Sequence, residues 1–173
     1  MGSNVEIKAR VDDVDALERR VAGLADGAPE TIGQRDTFFR TTSGRLKLRE
    51  FTDGSGELIF YERPDSAVPT TSHYLIAPTS EPAPLRALLG RLFEVRAVVN
   101  KQRRLYMRGR TRIHVDRVDG LGNFMELEVV LQEHQAPADG RLIAEELMQA
   151  LGVAPEQLVE AAYVDLLERK ETG

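Results

Sequence analysis

Asn4-Val5-Glu6-Ile7-Lys8-Ala9-Arg10-Val11 reads as a strand with two unlike faces. Glu6, Lys8 and Arg10 share one parity, while Val5, Ile7, Ala9 and Val11 share the other. The side-chain period of a β-strand is two, so the charges project from one face and the apolar groups from the other. The alternation returns along the chain. Arg45, Lys47 and Arg49 alternate with Leu46 and Leu48; Lys101 and Arg103 share a parity; so do Arg112, His114 and Asp116; Glu126 and Glu128 alternate with Leu127 and Val129. A face that gathers many cations and a few carboxylates suits a polyphosphate and its metal ion.

Charged faces on several strands in phase argue for closure. An open sheet would leave that face in water. A closed antiparallel barrel surrounds it and leaves the apolar outer face for helices. Inside such a tunnel, like charges repel unless an anion or carboxylates neutralise them. The elements around the first strand fit this plan. Asp12 or Asp13 can cap a helix over about 14–25 with Val14, Leu17, Val21 and Leu24 as its stripe. Strands follow over 31–40, 45–52, 57–63 and 72–78, separated by Ser43-Gly44 and Asp53-Gly54-Ser55-Gly56. Pro82 and Pro84 open a helix over about 84–93. A long extended segment, 94–108, turns at Gly109 into 111–118, and Gly120-Leu121-Gly122 leads into 123–131. A helical tail spans about 138–173, with a break at Gly152 and a last helix over 163–170. The expectation is an α+β fold: a closed eight-stranded antiparallel β-barrel or tunnel with helices packed outside.

The chain has 173 residues, which suits a single domain over 1–173. It has no cysteine, so disulfides and thiolate metal sites are excluded. No run of about 18 apolar residues suggests a membrane span, and the start lacks a secretory pattern. The expected location is cytoplasmic. Net charge is −5, unevenly spread. Residues 34–112 hold 15 Lys+Arg against 8 Asp+Glu, and the remainder holds 8 against 20. An acidic whole argues against nucleic acid as a partner. A basic middle inside an acidic shell suits a small anion held internally.

The motifs together resemble the CYTH superfamily, the triphosphate tunnel proteins, on its class IV adenylate cyclase side. Val-Glu-Ile-Lys at 5–8 resembles the opening Glu-x-Glu-x-Lys motif. Asp36-Thr37-Phe38-Phe39, Gly44-Arg45-Leu46-Lys47-Leu48-Arg49 and 58–64 resemble the next strands. Lys101-Gln102-Arg103, Ile113-His114-Val115-Asp116, Gly120-Leu121-Gly122 and Phe124-Met125-Glu126-Leu127-Glu128 resemble the later ones, and Tyr163-Val164-Asp165-Leu166-Leu167 the ending. The resemblance implies an eight-stranded tunnel in which basic side chains clasp a triphosphate and acidic ones hold Mg²⁺ or Mn²⁺; some members are homodimers. Two positions depart from the pattern. Asn4 stands where the family has its first Glu, and Glu62 where many relatives have a cation; Arg63 has the parity that points away.

A triphosphate carries about four charges, which cations at alternating strand positions can meet from several sides. Lys8, Arg10, Lys47, Arg49, Lys101, Arg103 and Arg112 are the candidate phosphate-binding residues. Hard divalent ions take carboxylate oxygens, so Glu6, Glu126 and Glu128 are candidate metal ligands, with Asp116 a further one by parity. Glu6, Lys8, Glu126 and Glu128 are the candidate catalytic residues. His114 reads as a hydrogen-bonded tunnel or core residue, Phe38, Phe39 and Phe60 as packing, and Asp165 as ordering the tail. The expected activity is that of a metal-dependent phosphorus–oxygen lyase making cyclic AMP and pyrophosphate from ATP. Alternatives are a triphosphatase acting on an inorganic or organic triphosphate, an elimination on a small organic phosphate or diphosphate, and a non-catalytic polyphosphate- or nucleotide-binding module. The partner in each case is a small-molecule phosphate ester or polyphosphate, with no membrane.

Overall fold

A computed structural model describes residues 2–65 and 68–172. The alternating segments form strands and the segments of helical period form helices. In chain order the elements are β1 (Gly2–Arg10), α1 (Val14–Leu24), β2 (Glu30–Phe39), β3 (Arg45–Phe51), β4 (Gly56–Glu62), β5 (Thr70–Thr79), α2 (Pro82–Leu92), β6 (Val95–Arg108), β7 (Thr111–Val118), β8 (Gly122–Val130), α3 (Pro137–Leu151) and α4 (Tyr163–Glu171). The strands close into an antiparallel barrel in the order β1-β5-β4-β3-β2-β6-β7-β8. The α+β tunnel expected from parity is the observed fold. Among the described residues, no helix is long and apolar enough to cross a membrane.

The hairpins fix the register that keeps the charges in phase. Glycine is required at Gly44, between β2 and β3: its φ is +63°, and a Cβ there would lie 2.6 Å from the Phe60 ring. The first strand closes the barrel by pairing with β8 on one side and β5 on the other.

The outer face is the main core. Leu17 and Val21 of α1 and Leu147 and Leu151 of α3 pack over Ile7, Tyr106, Ile113, Val115, Met125 and Leu127. Asp13 caps α1, its side chain accepting from the Ala16 N–H at 2.9 Å. Leu89 of α2 covers Phe39 and Leu48.

The tail builds a floor. Phe38 and Phe124 share the interior parity, so the barrel's inner face turns apolar at one end. The chain after α3 crosses that end. The Val159 N–H donates to the Lys8 carbonyl at 2.9 Å, and Lys8 Nζ donates to the Ala161 carbonyl at 3.2 Å. Ala162, Tyr163 and Val164 then pack with Phe38, Val99, Val118 and Phe124, and the Tyr163 ring meets Phe124 edge-on at 5.0 Å. Asp165 holds this segment: it accepts from the Ala162 N–H at 3.1 Å and pairs with Arg45 at 2.9 Å and Arg96 at 3.0 Å.

If the helix-covered outer face carries the stability, Leu127→Ala should destabilise the protein by about 2–5 kcal/mol. A denaturant melt reads this directly, with exposed Leu142→Ala in α3 as the near-neutral control.

Candidate functional site

Interior side chains of all eight strands line a cavity of about 390 Å³, a size common for small-molecule sites. Its chemistry divides by strand.

On β2, β3 and β6 a cation cluster surrounds one acid. Asp36 is fully buried and lies across from Arg49 in the β2–β3 register. It accepts from Arg49 Nε and Nη2 at 2.8 and 2.7 Å, from Lys47 Nζ at 3.0 Å and from Lys101 Nζ at 3.4 Å. Burial pushes the Asp36 carboxyl up, but Arg49, Lys101 and Lys47 outweigh it and hold it well below the usual range. The cations bear the cost. Burial, with Arg103, Arg49 and Lys47 adding repulsion against the pull of Asp36, lowers the Lys101 ammonium to about 7. Burial and Arg49 lower Lys47 as well. Three cations share one carboxylate, so the cluster is short of negative charge.

On β1, β7 and β8 the carboxylates gather. Glu6 faces Glu128 across β1–β8, and Lys8 faces Glu126. His114 faces Glu126 and Arg112 faces Glu128 across β7–β8. Glu126 contacts Lys8 at 3.3 Å and Arg103 at 2.8 Å. Glu128 is 3.5 Å from Arg112, and Glu6 is 3.3 Å from Arg63. Burial raises Glu126, but Lys8, His114 and Arg103 leave it well below its ordinary value. Glu6 is raised by burial, with Glu128 and Glu126 adding repulsion against Arg63. Like charges directly across a strand pair are unfavourable, so Glu6 and Glu128 call for a cation between them. Donor atoms of His114, Glu126 and Glu128 all lie within 4.8 Å of one another. The hard oxygen donors and this spacing fit a divalent ion.

Around an eight-strand ring, β8 stands opposite β3, and β1 opposite β2. The carboxylates therefore confront the Asp36 cluster across the lumen. The β4–β5 wall between them is largely apolar, with Ile59 paired to Ile76 and Tyr61 to Tyr74.

Lys8, Lys47, Arg49, Lys101, Arg103, Arg112, Glu6, Glu126 and Glu128 all line the cavity. Arg10 and Asp116 do not. Both are level with Phe124 in the register, where apolar packing fills the barrel end. Arg10 is exposed, its guanidinium 5.0 Å from the Phe124 ring centroid, so it is displaced from the phosphate set. Asp116 is buried beneath the cavity and engages Arg103 at 2.7 and 2.6 Å and the Tyr163 hydroxyl at 2.9 Å. It orients Arg103 and lies outside the cavity lining, below the position that parity suggested for a further metal ligand. Arg63 corrects another expectation: it points inward, and Glu62 is the residue exposed outside.

The remaining lining residues have uneven signals. Asp36 is legible as an acid on the inner parity of its strand, between Gln34 and Phe38. Tyr163, 4.0 Å from Lys8 Nζ by its ring centroid, comes from the far end of the chain and carries no local signal. His114 is inside as expected, but its Nδ1 is buried without a hydrogen-bond partner.

The CYTH domain family matches residues 2–163. The chain belongs to this family. It is 24% identical over 176 residues to the adenylate cyclase CyaB of Aeromonas hydrophila, covering 97% of this chain and 90% of that one. A solved structure of a Pyrococcus horikoshii OT3 protein superposes with a TM-score of 0.84 at 24% identity, covering 94% and 98% of the two chains. A structure from Hippeastrum, described as that of a candidate adenylyl cyclase that reveals a dominant triphosphatase activity, superposes at a TM-score of 0.69 and 14% identity, covering 98% and 96%.

The crowded cations make a stability prediction. The folded pKa of Lys101 lies below its unfolded value, so between about pH 7 and 10.5 the unfolded chain binds the extra proton and stability rises with pH. Lys101→Met should therefore melt higher than the wild type below pH 7 in the ligand-free state, and the gap should shrink as pH rises through that window. A melt series across pH measures it.

Proposed function

We propose that this CYTH-family chain, a single domain over residues 1–173, is a divalent-metal-dependent enzyme of the class IV adenylate cyclase type, converting ATP to cyclic AMP and pyrophosphate. The observation that carries this reading is the division of the cavity. A cation cluster and a carboxylate cluster confront each other, and an apolar wall of Ile59, Ile76, Tyr61 and Tyr74 stands beside them. A bare polyphosphate has no use for that wall, whereas an aromatic base packs against it. The cyclase name of the Aeromonas hydrophila relative points the same way.

In this reading Lys47, Arg49, Lys101 and Arg103 bind the phosphate oxygens, with Arg112 nearer the mouth. Charge-assisted hydrogen bonds of this kind are strongest where water is excluded. Lys8, packed on Tyr163 and bound to Glu126, adds a fixed cation beside the metal position. Glu126 and Glu128 would hold Mg²⁺ or Mn²⁺, and Glu6 stands across from Glu128 in the register. When bound, the metal lowers the pKa of the ribose 3′-hydroxyl and stabilises charge on the α-phosphate. The 3′-oxygen bonds to the α-phosphorus as the bond to the bridging oxygen breaks. Glu6, whose pKa is raised where those of Glu126 and Glu128 are lowered, accepts the hydroxyl proton. Pyrophosphate leaves on the cation cluster.

A triphosphatase is the second reading. The same groups would orient a water in place of the 3′-hydroxyl, and the Hippeastrum neighbour joins both descriptions.

Incubation of ATP with the protein and Mn²⁺, followed by chromatography with mass detection, should yield cyclic AMP and pyrophosphate. Glu126→Gln should lower the rate on the order of 10²–10³-fold. Orthophosphate as the product would establish the triphosphatase instead, and intact ATP would overturn both. Binding should also move protons. A polyanion stabilises protonated Lys101, which sits near pKa 7 in the free protein, so tripolyphosphate binding at pH 8 should take up protons. Calorimetry in buffers of different ionisation enthalpy reads the uptake, which Lys101→Met should reduce.

A further inference from the structure

We propose that His114 is a direct ligand of the metal through Nδ1, which makes the centre a two-carboxylate, one-imidazole site that prefers Mn²⁺ to Mg²⁺. The inference deepens the metal-dependent reading above and rests on it. Its starting point is an orphaned atom. His114 is 4% exposed, and its Nδ1 has no hydrogen-bond partner. Buried polar atoms are almost always partnered, and an exception asks for an explanation, an ion among them.

The surroundings supply one. Nδ1 lies 3.7 Å from Glu126 Oε2 and 3.9 Å from Glu128 Oε1. Both distances are too long for hydrogen bonds. They are the separations expected of atoms arranged around a common centre rather than bonded to each other, since ligands about 2.1–2.2 Å from an ion stand roughly 3 Å or more apart. The three donors sit on one rigid hairpin, with His114 directly across from Glu126 in the β7–β8 register. The second oxygen of each carboxylate is tethered, Glu126 Oε1 by Lys8 and Glu128 Oε2 by Arg112, while Arg103 also reaches Glu126 Oε2 at 2.8 Å. Such outer contacts orient metal ligands.

The entrance strand explains why an imidazole is wanted. Asn4, also lining the cavity, is 4% exposed and offers only a neutral amide oxygen, itself buried without a partner. Glu6, the next inward residue of that face, is drawn to Arg63 at 3.3 Å. The oxygen donors are therefore few, and a nitrogen completes the set. Mg²⁺ takes oxygen ligands and keeps much of its water, whereas imidazole suits transition ions.

The test uses the full chain with Mn²⁺ alone, without nucleotide. Electron spin echo envelope modulation should show ¹⁴N coupling to the bound ion, replaced by the ¹⁵N pattern when histidine is ¹⁵N-labelled. The other two histidines, His73 and His134, are exposed. In titrations of Mn²⁺ and Mg²⁺, His114→Gln should remove the coupling and weaken Mn²⁺ roughly tenfold or more, with a smaller loss for Mg²⁺. Bound Mn²⁺ with no nitrogen coupling in the wild type would overturn His114 as a ligand and leave the metal-dependent reading standing. No Mn²⁺ binding to the protein alone would overturn the preformed site, while metal-dependent turnover is judged separately by the product assay.

Discussion

The whole structure answers to one constraint: many like charges are enclosed in a barrel that excludes water. Charges buried in a weakly screening interior repel strongly and lose their hydration. The fold tolerates them by distributing acids among them. Asp36 serves Arg49, Lys47 and Lys101; Asp116 and Glu126 serve Arg103; Glu126 also serves Lys8. Neutralisation is incomplete, and burial, with repulsion from the neighbouring cations, holds Lys101 and Lys47 below their usual pKa. A polyanion is what such an interior lacks. Stability comes instead from the outside, where α1, α2 and α3 cover the apolar parity of the strands.

The same constraint gives the cavity its direction. Phe38 and Phe124 end the charged zone, and Ala162 and Tyr163 cover them. Tyr163 does two jobs there: its hydroxyl fixes Asp116, and its ring lies 4.0 Å under Lys8 Nζ. The tail therefore orients Arg103 and Lys8 through one residue. Above the floor the inner face separates into a cation side, a carboxylate side and an apolar wall, each set by which strand stands opposite which.

Parity made the barrel legible, because charged rows in phase on β1, β3, β7 and β8 form one common face that a closed sheet encloses. It also identified nine of the cavity's charged residues. It failed where height along the barrel matters. Arg10 and Asp116 have the inner parity but lie at the level of Phe124. It failed again on β4, where both parities are apolar, Leu58 packing outside and Ile59 and Tyr61 facing in, so no alternation marks Arg63 as an inward residue. Tyr163 and the pairing of His114 with two carboxylates arise from contacts distant in sequence or across strands, which no local pattern encodes.

The most direct test of a nucleotide lying between two charged walls is a crystal structure with Mn²⁺ and an ATP analogue whose α,β-bridge resists cleavage. The account predicts the phosphates at Lys47, Arg49, Lys101 and Arg103, the ion at Glu126 and Glu128, and the base against Tyr61, Tyr74, Ile59 and Ile76. A nucleotide bound outside the barrel, or phosphates seated away from the Asp36 cluster, would contradict it.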